Sequence, residues 1–515
     1  MNNQQATSRL MISITGKNPI KVKIFRIFLI LIIVSLLKIS AIGQVPGVMT
    51  LEEAIGIALR QSPDALTAIH HFRSNYWEYR NYRAELMPHL SMAGVLPSLS
   101  KDVIVSQEGD RFIPVNYSQY SVDMSLSKNI GLTGGKVSLN SSLQRLDVFA
   151  DPATTSYSSI PINIQLTQPL FGFNEFRWRK KTEPLQYNEA QRRYLEEVEQ
   201  IRINASNVFF GLLNAQIKLK IQQTNLANND TLYQIAKGRF NIGTIAENEL
   251  LQIELSLLNA RAAVEQAKLD ISVSSFNLFS YLRIPEDPKL ILLAPDPPNF
   301  KPIDAQIAIA FARDNRSEAL AFERRIIEAE SNVSMAKSEN RFSAMLNAAY
   351  GLRSKPIYSQ LDDIYLDPNE LQQLSIGINV PILDWGAGRG KVKLAESQME
   401  LERTSIQQNR IDFDQEVFIK VMKFNMQPTQ FAIASKSDTV ALKRYEVTKQ
   451  RYYIGKIGIT DLNIAQTEKD NAQQSYISAL ATFWNSYYEL RKLTLYDFDA
   501  NQPISFNIDD IPDLE

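Results

Sequence analysis

The residues in this chain that could do chemistry are few. Gly386-Ala387-Gly388-Arg389-Gly390-Lys391 follows an alternating apolar–polar segment and opens a helical one. That is the setting in which a glycine-rich turn cradles phosphate on backbone N–H groups. The dinucleotide spacing is missing, and no alternating strand–helix framework surrounds the segment. Lys136, in the chain's other glycine-rich turn, is not followed by Ser or Thr. Residues 386–391 are therefore read as a strand-to-helix turn. The histidines are His70, His71 and His89, and the first two are neighbours that a helix points to different faces, a poor pair of metal ligands. The chain has no cysteine, which removes disulfides, thiolate metal sites, thiol nucleophiles and an N-terminal lipid anchor. No nucleophile–base arrangement is suggested. No catalytic, cofactor-binding or metal site is expected, and hence no enzyme. Lys+Arg 55 against Asp+Glu 56 leaves no basic footprint for nucleic acid.

With so little chemistry, the organisation of the chain carries the information. Lys237-Gly238-Arg239-Phe240-Asn241-Ile242-Gly243 recurs as Lys449-Gln450-Arg451-Tyr452-Tyr453-Ile454-Gly455, an offset of 449 − 237 = 212. Pro169-Leu170-Phe171 recurs as Pro381-Ile382-Leu383 at the same 381 − 169 = 212. Upstream, Ala54-Ile55-Gly56-Ile57-Ala58 matches Ala308-Ile309-Ala310-Phe311-Ala312 at 308 − 54 = 254. The first copy thus holds 254 − 212 = 42 additional residues between Leu66 and Pro169. A duplication with one elastic segment implies two copies of one structural unit.

The N-terminus reads as an export signal over residues 1–43: Lys17, Lys21, Lys23 and Arg26, then the apolar Ile27 to Leu37, then Ala41-Ile42-Gly43 as a cleavage site. An uncleaved anchor is the other reading, and Met11 offers an alternative start. No other run of about 18 apolar residues exists, so a membrane-spanning mature protein would have to cross as a barrel of strands.

Each copy reads as short helices, then strands, then two long helices. The first repeat is assigned to 44–299, with strands at about 90–168, a long helix at about 174–241 and a return helix at about 245–282. The second is 300–495, with strands at about 342–381, a long helix at about 386–453 and a return helix at about 459–493; residues 496–515 form a polar, extended tail. Ser121 to Ser127, Ile162 to Thr167 and Leu374 to Val380 alternate apolar with small polar residues. A barrel with lipid outside and water inside makes this pattern, and so does a half-buried soluble sheet. Gly131 to Lys136 is a turn within the 42-residue surplus, which implies longer strands or an added hairpin in the first copy. Tyr117, Tyr120, Tyr157, Tyr350 and Tyr358 are candidates for an interfacial girdle.

Val198, Ile201, Ala205, Val208, Leu212, Ala215 and Leu219 recur at alternating intervals of 3 and 4, a coiled-coil seam. A helix of about 68 residues spans about 100 Å, far more than a globular domain needs. Gly243 and Gly455 mark the reversals between outgoing and returning helices. Thr244 to Glu247 fits a capping box, and Thr460 or Ile459 precedes the second return helix. Pro428, inside the second long helix, predicts a kink where the first copy has Gln216.

The ordered set of Thr50-Leu51-Glu52-Glu53-Ala54-Ile55 with Ser62-Pro63, Gln168-Pro169-Leu170-Phe171, and Arg-aromatic-x-x-Gly at Arg239/Gly243 and Arg451/Gly455 resembles TolC-like outer-membrane efflux proteins. The resemblance implies a mostly helical chain with a transmembrane β-barrel part. It also implies a homotrimer whose protomers each give four strands, or more, to one shared 12-strand barrel in the outer membrane lipid. The helices would form a periplasmic coiled-coil tunnel. The function implied is a passive conduit of a tripartite efflux pump or type I secretion system, with a periplasmic adaptor (membrane fusion) protein and an inner-membrane transporter as partners. Asp461 matches the first residue of the family's acidic gate ring, Ile464 stands where the second acid would be, Glu249 is the first-copy equivalent of Asp461, and Tyr452 matches a residue that holds the tip closed. Arg239, Gly243, Thr244, Arg451, Gly455 and Lys456 are the implied adaptor-docking tips. The rival reading is a periplasmic coiled-coil scaffold without a channel. Strand topology separates the two: a conduit needs its strands at one end and both glycine tips about 100 Å away.

Overall fold

The structure, a computed structural model, describes residues 47–105, 112–149, 152–299, 301–354, 361–365 and 368–511. The proposed signal peptide and Tyr358 lie outside them. The chain divides into two units. Of the smaller, residues 47–49 and 287–291 are described, joined by a hydrogen bond from the Ile291 N–H to the Gly47 carbonyl at 3.1 Å. Everything below concerns the larger unit.

Two short helices open it. In α1 (Leu51–Gln61), the Thr50 hydroxyl accepts from the Glu53 N–H while the Glu53 carboxylate accepts from the Thr50 N–H, a reciprocal cap. In α2 (Pro63–Glu85), Ser62 caps and Pro63 supplies a pre-set φ at the first position. Four strands follow: β1 (His89–Val105), β2 (Phe112–Ile130), β3 (Gly135–Val148) and β4 (Thr154–Leu170). Next come α3 (Glu175–Asn241) and α4 (Glu247–Leu282). The second copy supplies α5 (Ala305–Asn315), α6 (Ser317–Glu339), β5 (Ser343–Arg353), β6 (Asn369–Asn379), α7 (Ala387–Tyr453) and α8 (Ile459–Thr494).

The duplication is written into these bounds. α3 and α7 have 67 residues each and α4 and α8 have 36 each, all starting and ending 212 apart (387 − 175, 453 − 241, 459 − 247, 494 − 282). α5 and α6 repeat α1 and α2 at 254 (305 − 51, 317 − 63). α4 lies along α3, α7 along α8, and α3 along α8. Because α3 packs on α1, α2, α4, α6 and α8, its buried surface is wider than a single seam: Ile203, Phe209, Phe210 and Leu213 are buried beside Ile201, Ala205, Leu212 and Ala215. The α7 helix runs unbroken through Pro428, and α3 runs through a second interior proline, Pro184.

The six strands form one antiparallel meander in the order β1-β2-β3-β4-β5-β6. The resemblance implied four, or more. The surplus is the hairpin β2–β3, since β1 and β4 are the counterparts of β5 and β6; the additional residues of the first copy went into a new hairpin. One face is mostly apolar across the six strands, with Lys128, Arg145, Glu370 and Gln372 towards its margins. A row along the hydrogen bonds runs Leu90, Leu126, Leu139, Ile164, Tyr350 and ends on Gln372; the next runs Lys128, Val137, Leu166, Ala348 and Leu374. The other face carries Ser91, Ser125, Ser138, Asn140, Asn163, Gln165, Asn347 and Ser375. The apolar face is uncovered: Leu374, Ile376 and Ile378 are 73%, 57% and 63% exposed. Tyr120 and Tyr157 lie on this face with the Arg145 guanidinium between them, 5.5 and 5.9 Å from their rings. Tyr350 shares the face, whereas Tyr117 falls on the polar one by alternation.

The C-terminal tail folds back, correcting the expectation of an extended tail. Tyr496–Asp497 pairs with Gln502–Pro503, and Phe506 packs on Phe72 with ring centroids 4.9 Å apart. Apolar Phe506 and Ile511, spaced within a polar tail, drive this docking.

Candidate functional site: the paired helical tips

The tips are built by backbone closure. Gly243 and Gly455 have φ +73° and +71°, the left-handed region that glycine enters without steric cost. At the first tip, the Gly243 and Thr244 N–H groups donate to the carbonyls of Phe240 and Arg239, both at 2.9 Å. At the second, Gly455 and Lys456 donate to Tyr452 and Arg451 at the same distances. The expected capping box at Thr244 does not form. The closed turn brings the Thr244 hydroxyl to the Arg239 carbonyl at 2.9 Å, so it serves the outgoing helix; Ala246 begins α4 with no side-chain cap. Gly458 likewise begins α8, leaving Thr460 inside the helix.

The two tips pack on each other. Leu232, Ala236 and Ile253 of the first copy close over Tyr445, Tyr452, Ile459, Leu462 and Ala465 of the second. Tyr452 is 2% exposed. The Arg239 guanidinium sits 5.7 Å from its ring and donates to the Tyr453 carbonyl at 2.7 Å. This clasp combines a cation over an aromatic face with a charge-assisted hydrogen bond, together about 1–3 kcal/mol. Burial raises the pKa of the Tyr452 hydroxyl, the Glu249 carboxylate adds to the rise, and Arg239 opposes it. The fold thus brings Tyr452, Glu249 and Arg239 together. It leaves Asp461 exposed in the first turn of α8, with no partner among the described residues. Arg451, the repeat counterpart of Arg239, and Lys456 are also exposed.

Further up the bundle lies a polar layer that the sequence reading missed. Lys469 is buried, with its ammonium 3.0 Å from the Asp470 carboxylate and 4.6 Å from the Tyr445 ring. Asn225 donates to Asp470 at 2.5 Å, tying α3 to α8. Burial pushes the Tyr445 hydroxyl up to about 12. Polar residues within an apolar heptad frame were the available signal, since such residues fix helix register.

At the other end of α7, the Asp384 carboxylate accepts from the Gly386 and Gly388 N–H groups at 2.9 and 2.7 Å, and these bonds hold it below the usual carboxylate range. The donors a phosphate would need are already taken by the chain itself. A Cβ on Gly388 would meet Asn340 Oδ1 at 2.6 Å, so this glycine serves close packing. His71 faces Glu197 at 3.4 Å. Among the described residues, no helix is long and apolar enough to cross a membrane.

Comparison with known proteins agrees with this architecture. Residues 54–282 and 312–494 match the outer membrane efflux protein family. Among solved structures, the chain is similar to the CmeC outer membrane channel of Campylobacter jejuni, with 17% identity, 86% of this chain and 85% of that one covered, and a TM-score of 0.62. It is also similar to the outer membrane protein VceC of Vibrio cholerae (13% identity, 88% and 97% covered, TM-score 0.61). A third likeness is to the open-state MtrE channel of Neisseria gonorrhoeae (16% identity, 86% and 88% covered, TM-score 0.57). These likenesses establish the fold. No curated protein matches the chain by sequence. With both helical halves of its duplication matched, the chain belongs to the outer membrane efflux protein family.

Proposed function

We propose that this protein is the outer-membrane conduit of a tripartite efflux pump or type I secretion system. Three copies close into a tube that passes solutes without consuming energy. The observation that carries this reading is a sheet with one uncovered apolar face and two open edges. Such a sheet is unstable in water. In lipid every backbone group must be paired, so β1 of one copy has to pair with β6 of the next.

The helices support the same closure. α4 exposes Leu251, Leu255, Leu258, Leu269, Val273 and Phe276, and α7 exposes Met422, Met426, Ile433, Val440 and Val447, both at heptad spacing. Among the described residues, neither stripe is covered by a helix of its own chain. Packing α4 of one copy on α7 of the next would cover both by a head-to-tail contact that closes into a ring. The strands and the glycine tips sit at opposite ends of 67-residue helices, a separation of about 100 Å.

Threefold symmetry would gather three Asp461 carboxylates at the tip opening, with Glu249 alongside, and the Tyr452–Arg239 clasp would hold each protomer's tips shut. The exposed faces of Gly243, Thr244, Arg451, Gly455 and Lys456 would meet the periplasmic adaptor, which couples the tube to an inner-membrane transporter. Planar-bilayer recording tests the reading. The purified protein should give discrete conductance steps, and Asp461→Ala should raise the leak and weaken block by divalent cations. A protein that inserts and conducts identically with and without Asp461 would remove that residue from the gate. One that never conducts would remove the conduit.

A further inference from the structure

We infer that the outer-membrane segment is an eighteen-stranded barrel, six strands from each of three copies. This rests on the conduit reading above and goes beyond the 12-strand barrel that the family resemblance implies.

The first argument is that the additional hairpin β2–β3 is built like wall. Its strands have 19 and 14 residues, and the shortest strands of the sheet have 11, all enough for the 9–11 residues of a tilted membrane strand. Its apolar face is continuous with that of its neighbours, since Leu126 and Leu139 fall in one row between Leu90 and Ile164. A hairpin lying in water outside the wall has no need of that alternation. The polar face is equally continuous: Ser125 of β2 donates to Asn140 of β3 at 2.7 Å, and Asn140 donates along β3 to Ser138 at 3.0 Å.

The second argument is level. The turn between β2 and β3 is welded to the end of the sheet where the helices begin. Asn174, the N-cap of α3, donates to the Gly131 and Leu132 carbonyls at 3.1 and 3.0 Å, and Thr133 donates to Gln168 at 2.7 Å. The hairpin therefore returns to the level at which the chain enters β1 and β5 and leaves β4. It traverses the same span as they do.

The third argument is closure. Six is even, so β1 and β6 run in opposite directions, and head-to-tail joining of copies continues the antiparallel pattern without a mismatch. At about 4.8 Å between strands and about 40° of tilt, eighteen strands give a backbone diameter of about 36 Å, against about 24 Å for twelve. Barrels of this size hold an open water-filled lumen. Such an exit is lined largely by Ser, Asn, Thr and Gln, with Asp123, Lys136 and Arg353 on the same face. Its width suits bulky cargo, and selection falls to the helical tips.

Two measurements test this. A cryo-EM map of the detergent-extracted full-length protein counts the strands directly, with eighteen expected. A threefold particle with a twelve-strand barrel and a displaced hairpin overturns the inference and leaves the conduit reading standing; a particle without threefold symmetry overturns both. Because the chain has no cysteine, single-cysteine spin labels can also be placed at will. In vesicles, labels on Leu126→Cys and Leu139→Cys should be reached by lipid-soluble oxygen and shielded from an aqueous nickel complex. Ser125→Cys and Ser138→Cys should show the reverse. Aqueous access at all four positions would place the hairpin outside the wall.

Discussion

Arg239 and Arg451 are equivalent by sequence and opposite in circumstance. Arg239 turns inward to clasp Tyr452 and the Tyr453 carbonyl, while Arg451 stays exposed. We predict that Arg239→Ala loosens the tip by about 1–3 kcal/mol, seen as a higher open probability in bilayers. Arg451→Ala should leave that probability unchanged and weaken adaptor binding. Equal effects on opening would mean that the clasp has no role in closure. Repeat symmetry made the two arginines look alike as docking residues; which of them a neighbouring helix reaches is decided by tertiary packing, which a single sequence does not display. The Thr244 cap failed for a similar local reason. A hydroxyl directly after a left-handed glycine can serve either helix, and the closed turn presented it to the outgoing one. The glycine-rich turn at 386–391 was read as a strand-to-helix turn from its framework, and Asp384 closes it by accepting from the Gly386 and Gly388 N–H groups.

At the scale of elements, the two glycine reversals and the two unpartnered stripes make separate predictions. A Cβ at Gly243 or Gly455 would meet no neighbour within 4 Å, so the main cost of a side chain there is conformational, about 1–2 kcal/mol for an L-residue in the left-handed region. Gly243→Val should impair transport while trimers still form; loss of assembly would make the turn purely structural. Leu255→Glu on α4 should do the opposite. Each copy would forfeit about 1.5–3 kcal/mol of burial and place a charge in the seam, so size-exclusion chromatography should show monomers. A trimer that survives would put the subunit contact elsewhere. Long helices were legible because heptad spacing, glycine reversals and a fixed offset agree. The sheet was legible only in part. Alternation in β2 was clear and the surplus of residues was countable, but nothing local chooses between longer strands and a new hairpin, because strand pairing is a long-range property.

At the scale of the whole molecule, the two repeats are locked where α3, α8 and the tail meet. Arg491 donates to both oxygens of buried Glu199, at 3.0 and 3.1 Å, and also pairs with Asp497. Burial alone would raise the Asp497 pKa; turn N–H groups and Arg491 outweigh it and hold the carboxyl below its usual value. A depressed carboxyl stabilises the fold above its unfolded pKa of about 3.9 and loses that contribution as pH falls through the folded value. The stability difference between wild type and Asp497→Asn should therefore be constant from about pH 7 to about pH 5 and shrink below about pH 4. A difference that already changes near neutrality would point to another group. The docked tail was not legible, since two apolar residues in a polar segment give no periodicity to read.

The central claim is that copies of this chain close into a tube, and imaging of the detergent-extracted, membrane-derived protein tests it most directly. The account predicts end views with threefold symmetry and side views of a cylinder longer than about 100 Å. Irregular monomers, soluble without detergent, would contradict it.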